Sequence, residues 1–343
     1  MSGFDAGLRA LVTSSVAAAV TSAAGGAGDL LPTLDDLGWS ELAADNFADA
    51  YDVLFTTLGR SGTASRALDL VVLDSLGNAL GDTALGWADT AVAYPCPPGG
   101  LHAAEPPRAG GLRAVLVAEP PPKARLLVPL EAGASAGAVL LERDETQIAP
   151  LGGWDPQHAG FELRAAQPAP DRVTPLPGWP AALLAARRAL AAELTGLCER
   201  MLEIAVAGAR GRQQFGRPIG SYQAVRHKLA EARVWTSGAA ALVRESCAPG
   251  ATAATAATAK AYAGRAHYEV AARVLQTGGA MGLTWDFGLH QLVRRGFWLD
   301  ALLGSAQQLT SAAGKEILTA PGYRQGAGFR TAAQLFSDDR EEA

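Results

Sequence analysis

A cluster of arginines at a break between two helical segments is the most chemically suggestive feature of the sequence. Arg210, Arg212 and Arg217 surround the aromatic Phe215 within residues 209–231, which read ARGRQQFGRPIGSYQAVRHKLAE. Glycines and a proline interrupt the helical spacing there. Guanidinium groups beside a glycine-rich helix junction are suited to binding a phosphate group. The residues alone leave two interpretations open, a phosphate-binding junction or a surface connection with solvated arginines.

Composition narrows the classes of function. The chain has 343 residues, 49% of them apolar, which is enough for two or three packed units. A net charge of −5 gives no electrostatic basis for binding nucleic acid. The three cysteines, Cys96, Cys198 and Cys247, are far apart, and the five histidines show no metal-ligand spacing, so we expect no disulfide framework and no metal site. No apolar run is long enough to span a membrane, and we expect a cytoplasmic protein.

The periodicity of the apolar residues divides the chain into regions that must position the arginine cluster. Residues 1–93 predict a helical N-terminal domain. Residues 94–174 carry short apolar runs separated by turn residues, which predict a small β-barrel or sandwich. Residues 175–325 predict a C-terminal four-helix bundle, and residues 326–343 form a polar tail. The predicted fold is therefore mainly α with a central β domain.

The bundle is predicted from four long, alanine-rich segments with helical spacing. They cover 181–209, 221–248, 251–276 and 289–319. The arginine cluster lies between the first and the second of these helices.

Two motifs in the C-terminal half resemble the acyl-CoA dehydrogenase family. Residues 212–230 follow the pattern R-x-x-F-G-R-P-I-G-S-x-Q-A-V-x-H-x-L-A, which is similar to the family signature. Residues 276–286, QTGGAMGLTWD, resemble a second family motif, and a helix with His290 and a double arginine follows. The resemblance implies a helical domain, a β domain and a C-terminal helical bundle in that order. The N-terminal half resembles the family only in the order of its elements, and its helical domain is shorter.

The resemblance implies an FAD cofactor. In the family, the arginine of the first motif contacts the pyrophosphate of the dinucleotide across a subunit interface, and the phenylalanine packs near its adenine end. These residues correspond to Arg212 and Phe215. The glutamine of the first motif and the Gln–Gly–Gly segment also approach the dinucleotide, and they correspond to Gln223, Gln276 and Gly279.

The family's catalytic base has no counterpart in the sequence. In the family, a glutamate removes the α-proton of an acyl-CoA while the flavin accepts a hydride from the β-carbon. One family position for this glutamate corresponds to Leu303, whose side chain cannot accept a proton. The other position falls within residues 181–188, which contain no acid. The resemblance therefore predicts that this chain supplies no catalytic residue.

Carboxylates elsewhere on the same helices keep an alternative open. Asp300 lies about one helical turn before Leu303, and Glu199 and Glu203 are spaced to face the same side of their helix. A solvated or ion-paired role is the ordinary interpretation of each.

Three hypotheses follow from these observations. In the first, the chain is the non-catalytic subunit of an actinobacterial heteromeric (α2β2) acyl-CoA dehydrogenase of steroid side-chain degradation. A homologous subunit then supplies the glutamate and holds most of the acyl-CoA. In the second, the chain is a self-sufficient homo-oligomeric dehydrogenase that uses an unusual carboxylate such as Asp300. In the third, it is a non-enzymatic scaffold on the same fold.

Overall fold

A computed structural model gives the structure of most of the chain. It describes residues 4–24, 30–77, 85–97, 111–132, 135–151 and 160–319. The predicted tail, residues 326–343, lies outside the described residues.

The N-terminal part is helical, as predicted. Its four helices are α1 (Ala6–Ser22), α2 (Leu30–Asp36), α3 (Trp39–Ser61) and α4 (Ala67–Leu76). The side chain of Asp5 accepts a hydrogen bond from the backbone N–H of Leu8 at 2.8 Å and so caps α1. Gly62, in the left-handed conformation at φ 72°, ends α3.

The middle of the chain forms two four-stranded sheets. The strands are β1 (Thr90–Val92), β2 (Tyr94–Pro95), β3 (Leu112–Leu116), β4 (Arg125–Ala132), β5 (Ser135–Leu141), β6 (Thr146–Pro150), β7 (Phe161–Ala165) and β8 (Thr174–Pro175). One sheet has the order β1-β4-β5-β8 and the other β2-β3-β7-β6, and all pairs are antiparallel except β1 with β4. Buried side chains from both sheets share one apolar cluster. Within the described residues neither sheet closes on itself, so the sandwich is found and the barrel is not.

The C-terminal part is a helical bundle, as predicted, with one correction. Its elements are α5 (Trp179–Gly211), β9 (Gln213–Gln214), β10 (Arg217–Pro218), α6 (Gln223–Cys247), α7 (Ala253–Gly278), α8 (Leu289–Ala301) and α9 (Ala306–Thr319). The predicted single helix over 289–319 is wrong, because a turn at 302–305 separates α8 from α9. Leu303 (φ 53°) and Gly304 (φ 101°) have backbone conformations that a right-handed helix cannot contain.

Helix α5 lies at the centre and contacts α3, α4, α6, α7 and α8. Gly59 of α3 and Gly196 of α5 lie where the two helices meet, and a Cβ atom at either would overlap a carbonyl of the other helix. Helix α7 contacts both α5 and α6, and many of its buried residues are alanines spaced three and four apart. No helix among the described residues is long and apolar enough to cross a lipid bilayer.

Candidate cofactor site and the position of the base

The arginine cluster folds as a tight hairpin between α5 and α6. Strands β9 and β10 pair Gln214 with Arg217, and the two residues between them form the turn. Phe215 (φ 54°) and Gly216 (φ 78°) both adopt the left-handed conformation that two-residue hairpin turns require. This conformation is uncommon for a phenylalanine and costs about 1–2 kcal/mol. The hairpin nevertheless holds the Phe215 side chain 92% exposed to solvent.

Contacts from Tyr222 and Ile219, which follow the hairpin in the chain, hold the hairpin in place. The Tyr222 hydroxyl donates a hydrogen bond to the Gln214 carbonyl at 3.2 Å, and the Arg217 guanidinium lies 4.1 Å from the centre of the Tyr222 ring. The Ile219 N–H donates to the Arg212 carbonyl at 2.9 Å. The exposed aromatic side chain is therefore presented by an ordered element.

The two sequence motifs meet at Arg212. A guanidinium N–H of Arg212 donates to the carbonyl of Gly278 at 3.2 Å, although the two residues are 66 positions apart. Gly278 is the last residue of α7, and Gly279 follows at φ 59° with no atom within 4 Å of the place where a Cβ would be. A cavity of about 340 Å³ adjoins this contact. Its lining is mostly apolar and includes Ala205, Gly208, Arg212, Ile219, Met281 and Phe287.

The structure brings some of the predicted cofactor residues together. Arg212 and Gly279 lie on either side of Gly278, and Phe215 projects from the adjoining hairpin. Gln223 is the first residue of α6 and Gln276 lies in the last turn of α7, and both side chains are exposed. In the described part of the chain, no hydrogen bond joins either glutamine to the other three residues. All five assignments remain predictions.

Sequence reasoning missed the floor of the cavity. The Phe287 ring packs on α5 where Gly208 has no side chain, and a Cβ there would lie 2.9 Å from Phe287 Cζ. Phe287 follows the second motif directly, and Gly208 precedes the first. A glycine inside a long helical pattern was the available signal, because such glycines often mark a close contact.

Comparisons with known proteins identify the family of the chain. Residues 179–318 match the family described as acyl-CoA dehydrogenase, C-terminal domain. Acyl-CoA dehydrogenase IpdE2 of Mycobacterium tuberculosis is 31% identical to this chain over 225 residues, which cover 60% of this chain and 70% of IpdE2.

The chain belongs to the acyl-CoA dehydrogenase family.

Solved structures with the same fold are more distant in sequence. The ChsE4–ChsE5 complex from Mycobacterium tuberculosis contains a chain with a TM-score of 0.71 and 22% identity, covering 91% of this chain and 96% of that one. The Tcur3481–Tcur3483 steroid ACAD gives a TM-score of 0.73 at 22% identity, covering 90% of this chain and 97% of that one. At this level of identity the similarity shows the fold.

In this member of the acyl-CoA dehydrogenase family, the two predicted positions of the base lie next to each other. Leu303 is buried, and its carbonyl accepts a hydrogen bond from Arg187 Nε at 3.1 Å. Arg187 belongs to the segment 181–188, the second predicted position. Burial lowers the pKa of Arg187 to about 10, which leaves it charged at neutral pH. Neither Leu303 nor a charged guanidinium can accept a proton.

Asp300, the alternative base, is engaged in holding the turn. Its Oδ1 atom accepts a hydrogen bond from the Ala306 N–H at 3.0 Å, at the start of α9, and lies 3.7 Å from Lys260 Nζ. The fully buried Lys260 also donates to the carbonyls of Asp300 (2.9 Å) and Gly304 (3.2 Å). Burial lowers the pKa of Lys260 to about 8, and the neighbouring Asp300 opposes that shift.

Three carboxylates of α5 are in ion pairs. Glu199 and Glu203 face the same side, as predicted, and both bind Arg60, at 2.8 and 2.6 Å. Glu193 binds Arg295 at 2.7 Å, and both side chains are buried. Burial raises the pKa of Glu193, while the attraction of Arg295 works in the opposite direction. Each of these carboxylates therefore has a structural partner.

Proposed function

We propose that this chain is the non-catalytic subunit of a heteromeric, cytoplasmic acyl-CoA dehydrogenase. It completes an FAD site across a subunit interface, and a homologous subunit supplies the glutamate and most of the substrate site. The observation that carries the proposal is a contrast between two places in the structure. Arg212 bonds to Gly278 beside the unobstructed backbone of Gly279, whereas a buried leucine, Leu303, stands at a family position of the glutamate. The two-component names of both structural neighbours support the assembly, and the steroid ACAD supports steroid side-chain acyl-CoA as the substrate class.

The residues at the Arg212–Gly278 contact fit one end of a dinucleotide. Arg212 retains N–H donors beyond the one bound to Gly278, and a guanidinium binds a phosphate with two parallel hydrogen bonds. The backbone at Gly279 is open to close approach. Phe215 offers an exposed ring for packing on an adenine, while Gln223 and Gln276 offer amide groups from two helix ends.

Bound FAD would supply the hydride acceptor for α,β-desaturation of the thioester. The contribution of this chain is to bind and orient the cofactor through Arg212, Phe215, Gln223, Gln276 and Gly279. Proton removal from the α-carbon is assigned to the homologous subunit, because Leu303 corresponds to one family position of the base and residues 181–188, where the other falls, contain no acid.

Co-expression with the neighbouring open reading frame, taken as the candidate for the homologous subunit, tests the proposal. We expect the chain alone to be poorly soluble or free of flavin and to be inactive with acyl-CoA and an electron acceptor. We expect the co-expressed complex to be yellow and active. A stable, yellow homo-oligomer that oxidises acyl-CoA would establish the self-sufficient enzyme instead, and a colourless complex would favour the scaffold.

A further inference from the structure

Four helices surround a polar cavity that is separate from the two regions described above. The cavity has a volume of about 200 Å³ and lies between α1, α3, α5 and α6. It is much larger than the ~10–15 Å³ that one water molecule requires, and smaller than the ~300–1,000 Å³ of pockets for larger ligands. Its lining shares no residue with the cavity at Arg212 or with the 302–305 turn. The cavity therefore has room for a small molecule and is distinct from the proposed cofactor contacts.

The carboxylates in the lining already have partners. Asp52 of α3 binds Arg9 of α1. Glu199 of α5 binds Arg60 of α3, with 2.8 Å between oxygen and nitrogen. Each of these two arginines also binds a carboxylate outside the lining. The ion pairs hold the walls together, and neither lining carboxylate needs a further cation.

Three hydrogen-bond donors in the lining are in the opposite state. Among the described residues, Arg244 of α6 makes no hydrogen bond and no ion pair. Burial raises the pKa of Asp52, and the charges of Arg9 and Arg244 oppose that shift, so Arg244 acts on the wall of the cavity without bonding to it. Thr57 of α3 is only 9% exposed and Thr56 is half-buried, and in the described part of the chain neither hydroxyl has a hydrogen-bond partner.

The two threonines of α3 differ from the threonines on the other walls. A threonine inside a helix commonly donates its hydroxyl to the carbonyl four residues earlier. Thr13 of α1 and Thr195 of α5, which line the same cavity, do so at 2.7 and 2.8 Å. Thr56 and Thr57 do not, so their hydroxyls are available to a molecule in the cavity. A buried hydroxyl left without any partner costs free energy, which a bound acceptor would recover.

We propose that this cavity binds a small oxyanion, a carboxylate or a phosphate group, through Arg244, Thr57 and Thr56. Donors without partners select a ligand that consists of acceptors, and the charge of Arg244 selects an anion. A guanidinium holds either group with two parallel hydrogen bonds. The bound oxyanion would join α3 of the N-terminal helices to α6 of the bundle. The site is built from one chain, so the inference goes beyond the proposed function and does not rest on it.

Titration calorimetry with inorganic phosphate and with malonate tests the inference. The full chain is used, alone or in the co-expressed complex, and both titrations share one sodium chloride background, so that nonspecific attraction is screened equally. We expect at least one of the anions to bind at one site per chain, and the tighter of the two identifies the group as phosphate or carboxylate. Arg244→Gln should weaken its binding roughly 10-fold or more, because a charge-assisted pair is lost. Arg233→Gln removes an exposed arginine about three turns earlier on α6 and should leave the dissociation constant unchanged.

Thr57→Val is the second variant, because it replaces the hydroxyl by a methyl group of similar size. It should weaken binding of the same anion about threefold or more. Circular dichroism checks that each variant is folded, and Thr57→Val decides the matter if Arg244→Gln does not fold.

Three results would overturn the inference. In the first, neither anion binds the wild-type chain at millimolar concentration, which would make the cavity a site for water alone. In the second, the folded variants bind the anion as tightly as wild type. In the third, Arg233→Gln weakens binding as much as Arg244→Gln, which would show nonspecific attraction to the arginines of α6.

Discussion

The two ends of the family site differ in exposure and in charge. At the proposed cofactor end, Arg212 bonds to Gly278 beside the open backbone of Gly279, and Phe215 is strained and exposed. At the 302–305 turn, Leu303 is buried and the cations Arg187 and Lys260 are bonded to backbone carbonyls. Among the described residues, the Arg212 side chain has one hydrogen bond, to the Gly278 carbonyl, while the cations of the second region bond to the carbonyls of the turn. Under the proposed function, this difference distinguishes a site that a partner subunit completes from a turn that takes no part in the chemistry.

The largest loss of stability is expected on breaking a buried ion pair between α5 and α8. Arg295→Met leaves Glu193 buried without its cation, and removing one partner of a buried ion pair costs about 3–5 kcal/mol. Urea denaturation of the complex at fixed concentration measures the loss of unfolding free energy. Arg60→Met is the control, because its partners Glu199 and Glu203 are partly exposed and such pairs contribute about 1 kcal/mol or less. Equal effects in the two variants would contradict a larger stabilising role for the buried ion pair.

Acid should destabilise the protein through His267. Its imidazole is fully buried against the Gly296 backbone, and burial lowers its pKa to about 4. In the unfolded chain the pKa is near 6.5, so between about pH 6.5 and 4 the unfolded state binds the proton and the native state does not. Stability is therefore lost as the pH falls through this window, by up to about 3 kcal/mol.

A non-titrating variant isolates this contribution. His267→Gln should show a flatter dependence of the unfolding free energy on pH between 7 and 4.5 than wild type. His227→Gln, which changes an exposed histidine on α6, should keep the wild-type slope. Identical slopes in wild type and His267→Gln would show that His267 does not titrate in this way.

Arg212→Ala tests the proposed contact between Arg212 and the cofactor phosphate. Loss of a charge-assisted bond to phosphate should weaken flavin binding by roughly 1.5–3 kcal/mol, which is about a 10- to 150-fold change. Flavin content after gel filtration of the complex is the measurement. Arg210→Ala removes an equally exposed cation two residues away and should leave the flavin content unchanged. Unchanged occupancy in Arg212→Ala would make this arginine a surface charge.

The sequence predicted the bundle and the hairpin break because periodicity and glycines report local backbone preferences. It did not predict the break at 302–305, since Leu303 looks like an ordinary helix residue. The buried Lys260 and Arg187 stabilise that turn from two other helices, and such contacts are not visible in local sequence. The cavity floor at Gly208 and Phe287 was missed for the same reason. The family resemblance implied that Arg212 and Gly279 approach the same dinucleotide, but the hydrogen bond between Arg212 and Gly278 was not predicted.

The most direct test of the account is the turnover of the complex when carboxylates of this chain are neutralised. Asp300→Asn and Glu203→Gln should leave turnover within a few-fold of wild type, and Leu303→Glu should not confer activity on this chain alone. A general base contributes on the order of 10²–10⁴ in rate, whereas an ion-paired helix carboxylate does not act on the substrate. A dye-reduction assay with acyl-CoA therefore separates the two cases. Loss of more than about a hundredfold in Asp300→Asn, with flavin still bound, would make Asp300 the base and contradict the non-catalytic assignment.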